Sequence, residues 1–283
     1  MKIKDNISIV LLIIAMLVGL SLLLYPTVSN AWNQKHQSQA IAEYIEDVEN
    51  IDSESYERIL NDAKAYNEKL ANGMQTPHLS EEGKKNYNSV LNIGSKGIMG
   101  YLNVPKIDCY LPIYHGSDIE IMQVGIGHIE WTSLPVGGSS SHCVLTGHRG
   151  MPGTKLFTNL DKMEIGDTFT IIVLDEIYVY KVDDISVVLP EKIDTLTVRN
   201  GKDYCTLMTC TPYGVNSHRL LVRGVRIEAN DPDRITSDAR TINPMIVSSL
   251  IIAPVVFISL AIRVIKDKKA KKPKIVKNND NSQ

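Results

Sequence analysis

The stretch "TLMTCTPYGVNSHRLLVRG", residues 206–224, consists of two strand-like runs joined by a turn. Pro, Gly and Asn between two apolar runs are typical of a turn, so the second strand returns beside the first. Cys210 ends the first run and Arg219 opens the second, which brings both side chains to one rim of a sheet. A cysteine there can be a nucleophile, half of a disulfide or a small buried residue.

Strand-like runs separated by turn residues extend from Ile98 to the end of this stretch. The runs are IMGYLNV, CYLPIY, VGIGHI, HCVLTG, TFTIIVL, IYVYKVDDISVV, YCTLMTC and HRLLVRGVRI. About eight strands with little helix between them must protect their edges, and a closed or partly closed β-barrel does this. The sequence therefore predicts a mainly β catalytic domain over residues 98–230, with helical material only around "TKLFTNLDKM".

The residues before the barrel are helical in pattern. Apolar residues recur at helical spacing between Trp32 and Asn72, with Glu and Lys between them. Gly73 fits the position just after a helix end. Residues 74–97 are polar and contain Pro and Gly, which predicts a long, lid-like loop. Residues 26–97 are therefore assigned to an extracellular helical region followed by that loop.

Two long apolar runs lie near the ends of the chain. The first, Ile7–Tyr25, has 19 residues, follows two lysines and has no clean cleavage site. It predicts a retained signal anchor over residues 1–25, and the alternative is a cleaved signal peptide. The second run, Met245–Ile262, precedes a strongly basic segment. It predicts a transmembrane helix over residues 245–265, and the alternative is a buried core helix.

Charge sets the orientation of these spans. Residues 263–277 contain eight Lys/Arg and one acid, a net charge of +7, whereas the whole chain carries −2. Because basic flanks stay inside, both termini are predicted to be cytoplasmic and the domain between them extracellular, with a linker at 231–244 and a basic cytoplasmic tail at 266–283. The tail is expected to touch membrane lipid. Residues 7–262 carry −9, which argues against nucleic acid as a partner.

The chemistry of a nucleophilic cysteine requires a base and a cation. A cysteine attacks carbonyl carbon as the thiolate, which a guanidinium such as that of Arg219 stabilises together with the oxyanion that forms. His148 follows a strand-like run and opens the glycine-flanked turn "LTGHRG", so it is the candidate base. The alternative is that His148 is a structural residue of the turn. His218 adjoins Arg219 and is expected to point to the opposite face.

The thiols of the other cysteines are expected to be less reactive. Cys143 and Cys205 each lie five residues before a candidate catalytic residue, His148 and Cys210. Five is odd, so in regular strands both thiols point away from the catalytic face. They are either two buried thiols or a disulfide, and this stays open. Cys109 is expected in the core, and no tight ligand spacing predicts a metal.

The motifs "LTGHRG", "TLMTCTPYG" and "HRLLVRG", in this order and spacing, resemble those of the sortases, membrane-anchored cysteine transpeptidases of Gram-positive bacteria. The resemblance extends from about Met99 to Arg226. It implies a sortase-like barrel without a cofactor. "TLMTC" is similar to the family's TLxTC signature, which implies that Cys210 is the nucleophile. By the same resemblance, His148 is the catalytic histidine and Arg219 the strand arginine.

Three further residues have open roles. Thr209 and Thr211 flank Cys210 and are candidates for substrate contact, with strand packing as the alternative. Arg223 lies four residues after Arg219, so it shares a face with it on an ideal strand and is the alternative oxyanion group.

The helical extension, the second apolar run and the basic tail resemble class C, the pilus-assembling sortases. This implies cleavage of an LPXTG-type pilin signal between Thr and Gly and transfer to a pilin lysine. Alternatives are a sortase that anchors proteins to a cell-wall precursor, a secreted cysteine peptidase or a non-catalytic scaffold. One departure concerns the lid. Class C lids usually carry Asp-Pro-aromatic, whereas this chain has Thr76-Pro77-His78.

Overall fold

The computed structural model describes residues 2–94 and 96–228. The predicted linker at 231–244, the second apolar run at 245–265 and the basic tail at 266–283 lie outside the described residues. Their roles stay predictions.

Among the described residues, three α-helices precede the barrel and one short α-helix lies between its strands. They are α1 (Lys2–Glu49), α2 (Ser53–Lys69), α3 (Glu81–Ser89) and α4 (Ile119–Val124). Asp52 caps α2 by accepting a hydrogen bond from the Ser55 N–H at 2.9 Å. A π-helical turn, Leu70–Met74, continues α2 and ends where Gly73 adopts φ +96°, as the sequence predicts. Glycine is suited to this conformation because it has no Cβ.

The N-terminal apolar run forms the first half of α1. Within the described residues, α1 is the one helix long and apolar enough to cross a membrane. Its apolar side chains are exposed, including Leu12, Leu22 and Leu23. The helix can therefore serve as a membrane anchor, and it continues beyond the apolar run as a polar helix that packs on the barrel.

Eight strands form a closed barrel, which confirms the predicted fold. They are β1 (Ile98–Val104), β2 (Cys109–His115), β3 (Ile126–His128), β4 (Ser141–Thr146), β5 (Thr168–Val173), β6 (Glu176–Val188), β7 (Asp203–Thr211) and β8 (His218–Ile227). Their order around the barrel is β1-β2-β3-β4-β7-β8-β6-β5, and β5 closes it against β1. The pairs β2–β3 and β4–β7 are parallel and the others antiparallel. Closure leaves no free edge.

Two side chains fasten the helices to this barrel. The Tyr44 hydroxyl on α1 donates to the Met99 carbonyl at 3.0 Å and accepts from the Leu174 N–H at 2.8 Å. The Asn67 amide on α2 donates to the Leu134 carbonyl at 3.0 Å, and its oxygen accepts from the Leu134 N–H at 2.7 Å. Both side chains are buried. These bonds satisfy backbone groups of the barrel that would otherwise be buried without partners.

The segment predicted as one long loop, residues 74–97, instead contains α3. Ser80 caps this helix by accepting from the Gly83 N–H at 3.1 Å. Its buried residue Tyr87 contacts the His128 Nδ1 at 2.9 Å and accepts from the Gly116 N–H at 2.9 Å. The sequence pattern missed α3 because a single apolar residue anchors a helix that is otherwise polar.

The long β6–β7 connection is held to the barrel by His142. The His142 ring contacts the Thr206 hydroxyl through Nε2 at 2.7 Å and the Thr197 carbonyl through Nδ1 at 3.1 Å. Burial lowers the pKa of His142 to about 4 from its ordinary 6.5, because the charged imidazolium loses solvation. The folded protein therefore holds this histidine neutral.

We expect His142 to make stability depend on pH. Between about pH 6.5 and pH 4, the unfolded chain binds a proton at His142 and the folded protein does not. The free energy of unfolding therefore falls as pH falls through this window, by up to about 3 kcal/mol. Urea unfolding of the wild type and of His142→Gln at pH 7 and pH 4.5 measures the difference. The variant should lose less stability on acidification, and equal losses would contradict the assignment.

Candidate active site

The β7–β8 hairpin sets Cys210 directly opposite Arg219. The two residues are register partners in the antiparallel ladder, followed by the pair Thr211 and His218. Cys210 is half-buried and free of any disulfide. Residues directly opposite each other in a ladder have neighbouring side chains on one face. The predicted placement of Cys210 and Arg219 at neighbouring positions of two paired strands is therefore present.

The β4–β7 ladder brings the start of the His148 loop to the Cys210 end of β7. Thr146 is the register partner of Met208, and the Gly147 N–H donates to the Met208 carbonyl at 3.2 Å. His148 follows Gly147, just past the end of β4, as Cys210 lies two residues after Met208. Cys210 lies on the same outer face as Met208, because alternate residues of a strand share a face.

The imidazole of His148 is placed to exchange a proton. Its Nε2 is buried and has no hydrogen-bond partner among the residues the structure describes. Partial burial lowers the pKa of His148 below its ordinary value, which favours the neutral form at neutral pH. A neutral imidazole with a free nitrogen can act as a general base.

Arg219 keeps its charge available. Its guanidinium donates to the carbonyls of Asn216 and His218, each at 3.2 Å, and makes no ion pair within the described residues. Carbonyl acceptors orient the group but do not neutralise it. Arg223, the alternative oxyanion group, forms a two-bond ion pair with Asp183 at 3.0 Å and lies 4.5 Å from the Tyr204 ring centroid. The structure therefore favours Arg219.

The two flanking threonines occupy different positions. Thr209 is buried, and its hydroxyl donates to the Gly147 carbonyl at 2.7 Å, which favours the strand-packing alternative. Thr211 is half-buried at the rim, where its hydroxyl accepts from Arg149 at 3.3 Å. Of the two, Thr211 is the more exposed.

The remaining cysteines lie away from the site. Cys143 and Cys205 are register partners inside the barrel, and both are free thiols in the structure. Cys109 is buried in the core, as predicted. Burial raises the pKa of the Cys109 and Cys205 thiols, which makes them poor nucleophiles. Among the described residues, no group of His, Cys, Asp or Glu could hold a metal ion.

An apolar surface borders Cys210 on the outer face of the barrel. Its buried members are Val144, Leu196 and Leu221, and the half-exposed members around them include Met208 and Trp131. The β6–β7 connection forms one side of this surface through Leu196. Apolar side chains next to a nucleophile can hold the apolar part of a peptide substrate.

The candidate lid residues lie beside the same connection. The Gln75 amide oxygen accepts from the Val198 N–H at 2.9 Å. Thr76, Pro77 and His78 follow it and are exposed. The residues after Ser80 form α3, which Tyr87 anchors in the core. Movement that leaves the core undisturbed is therefore limited to the few residues before α3.

Comparisons with known proteins give the family. The sortase domain model matches residues 102–227. The crystal structure of sortase C1 from Streptococcus agalactiae is 47% identical with a TM-score of 0.66, over 68% of this chain and 100% of that one. Clostridium perfringens sortase C, solved with the C-terminal cell wall sorting motif, is 40% identical with a TM-score of 0.60, over 68% and 99%. Sortase D of Bacillus subtilis is 25% identical over 174 residues, 60% of this chain and 84% of that relative.

Fold, site and relatives together define an enzyme class, the cysteine transpeptidases. The chain belongs to the sortase family, and its structural neighbours are class C sortases. This confirms the resemblance that the sequence motifs carry.

Proposed function

We propose that this protein is a pilus-assembling sortase that cleaves an LPXTG-type signal between Thr and Gly and joins the Thr to a lysine amine of the next pilin. The observation that carries the proposal is the pairing of Cys210 with Arg219 in one ladder, with His148 just past the end of β4, the strand on the other side of β7. The identity of 47% to a sortase C1 supports the pilin branch of the family over others.

The first half-reaction forms a thioester. His148 takes the thiol proton, and the Cys210 thiolate attacks the Thr carbonyl carbon, forming a C–S bond. The carbonyl oxygen becomes an oxyanion that the Arg219 guanidinium stabilises. The C–N bond then breaks, the proton on His148 passes to the leaving glycine amine, and the Thr acyl group stays on sulfur.

The second half-reaction reverses these roles. The incoming lysine amine attacks the thioester carbonyl and gives a proton to His148. The C–S bond breaks, an amide bond remains, and the thiolate regains the proton. The apolar surface around Met208 and Leu196 supports a role in holding the Leu-Pro part of the signal, since it lies on the face that carries Cys210.

The proposed location is the cell membrane, with the catalytic domain outside and both termini inside. The apolar first half of α1 supports the anchor. The sequence of the basic segment at 263–277 supports a second membrane crossing before it and contact of this segment with membrane lipid.

We expect an LPXTG peptide to form a thioester on Cys210. Full-length protein in detergent micelles is incubated with an LPXTG peptide library, with and without hydroxylamine. Intact-mass spectrometry should detect an acyl adduct that hydroxylamine converts to hydroxamate. Cys210→Ala should abolish the adduct, and Cys109→Ala, a matched change of a buried thiol, should keep it.

If the wild type forms no adduct, residues 76–78 are replaced with Gly and Ser, a change that leaves Leu79 and Tyr87 in place against the core. No adduct after that replacement would refute the transpeptidase mechanism proposed for Cys210.

Arg219 and Arg223 provide a matched pair of variants. Arg219→Met should lower the rate of peptide transfer to hydroxylamine by about 100-fold or more, because one oxyanion donor is lost. Its thermal midpoint should change little. Arg223→Met should leave transfer near the wild-type rate but lower the free energy of unfolding by about 1–3 kcal/mol, since Asp183 loses its partner. The opposite pattern would assign the oxyanion role to Arg223.

The acceptor amine separates the pilus-assembling reaction from its alternatives. The acyl enzyme is offered a lysine-bearing pilin domain, a cell-wall precursor amine and water. We expect a covalent pilin dimer joined through lysine, absent when that lysine is replaced by arginine. Preferred transfer to the precursor amine would identify a cell-wall-anchoring sortase. Release of free acid regardless of amine would identify a peptidase.

A further inference from the structure

The loop that carries His148 is joined to the strand end that carries Cys210 by three successive contacts. Thr209 donates to the Gly147 carbonyl at 2.7 Å, and Arg149 donates to the Thr211 hydroxyl at 3.3 Å. Beyond them, the Tyr213 hydroxyl lies 3.5 Å from the Gly150 carbonyl. The first two contacts come from Thr209 and Thr211, which flank the nucleophile on β7, and the third comes from the turn that follows this strand.

The Arg149 guanidinium, which makes the middle contact, also holds the C-terminal end of the loop. Arg149 Nη2 forms an ion pair with Asp161 Oδ2 at 2.7 Å, and the Arg149 side chain is 11% exposed. Asp161 belongs to the short 3-10 helix Leu160–Lys162. The loop is also closed near its start, because the Phe157 N–H donates to the His148 carbonyl at 3.1 Å.

This arrangement fixes both ends of the loop that carries His148. The Arg149 guanidinium links Asp161, in the C-terminal part of the loop, to Thr211, the residue that follows the nucleophile. A planar guanidinium can serve two partners at fixed angles, which an ammonium cannot do as well. The Arg149 Nε is buried without a partner among the described residues, so the side chain is held by its two terminal nitrogens.

We propose that Arg149 is a positioning residue of the transpeptidase, which sets the approach of His148 to Cys210 by linking Asp161 to Thr211. Arg149 does not touch the reacting atoms. It acts through His148, the next residue, whose backbone it holds against the end of β7. The inference rests on the proposed roles of His148 and Cys210.

The physical reason is the sensitivity of proton transfer to distance. A displacement of about 1 Å of a catalytic group can lower the rate by about 100-fold. His148 lies beyond the end of β4, where the ladder no longer fixes its position. Arg149, three residues past the last paired residue of β4, supplies the missing constraint.

The test compares three variants on the full-length protein in micelles. Arg149→Met removes the link. Arg149→Lys keeps the charge but can hold only one partner well. Lys155→Met is the matched control, because Lys155 is on the same loop and pairs with Asp108 at 3.3 Å, away from β7. If Arg149→Met fails to fold, Asp161→Asn breaks the same link from its half-exposed end.

The first readout is the rate of Cys210 alkylation by iodoacetamide at pH 7.5, which needs no sorting-signal peptide. His148→Asn should slow it by about tenfold, because the thiol loses its base. Arg149→Met should slow it comparably, and the double variant should be no slower than His148→Asn alone. Lys155→Met should match the wild type. If Arg149→Met only disturbed packing, the effects of the two substitutions on the alkylation rate would instead add in the double variant.

The second readout is peptide transfer to hydroxylamine. Arg149→Met should lower kcat by about tenfold to a hundredfold and leave KM within about twofold, with an intermediate kcat for Arg149→Lys. Normal kcat in Arg149→Met, or additive alkylation effects, would overturn the positioning role while leaving the proposed function intact. If His148→Asn alkylates as fast as the wild type, the proposed roles of His148 and Cys210 fail, and the role of Arg149 fails with them.

Discussion

The register of β7 with its two neighbours is the constraint on which the site depends. On one side, the antiparallel ladder pairs Cys210 with Arg219, and on the other, the parallel ladder pairs Met208 with Thr146. A slip by one residue would turn every side chain of β7 to the opposite face and bury Cys210 inside the barrel. The placement of Cys210 opposite Arg219 therefore follows from hydrogen bonds between strand backbones.

The interior packing holds this register. Cys143, Cys205 and Gly224 lie opposite one another on three adjacent strands and form a row of small residues. A Cβ at Gly224 would lie 2.8 Å from atoms of Phe169 and Tyr180, whose rings stack with centroids 5.5 Å apart. Small residues in this row leave room for the ring pair. The two inner thiols thus have a packing explanation, and burial raises the pKa of the Cys205 thiol.

The sequence predicted most of the fold and the strand positions of Cys210 and Arg219, because strands and their turns are encoded locally. All eight runs proved to be strands, and the offset of five residues correctly placed Cys143 and Cys205 opposite to the catalytic face. Helix α3 was missed because its one buried anchor, Tyr87, finds its partners on β3 and beyond. The link through Arg149 could not be predicted either, since Asp161 and Thr211 meet only once the barrel is closed.

The distribution of charge separates Arg219 from the arginines that hold the fold. Arg149 and Arg223 meet carboxylates, and Arg226 lies 4.5 Å from the Tyr178 ring centroid. Within the described residues, Arg219 has only carbonyl acceptors, so its charge stays unneutralised. In the proposed mechanism, attack by the Cys210 thiolate creates the oxyanion that Arg219 stabilises, and these two residues lie on paired strands. His148, the proposed base, serves first a leaving amine and then an incoming one. It lies on a loop, and a loop needs a separate link to stay within reach of both.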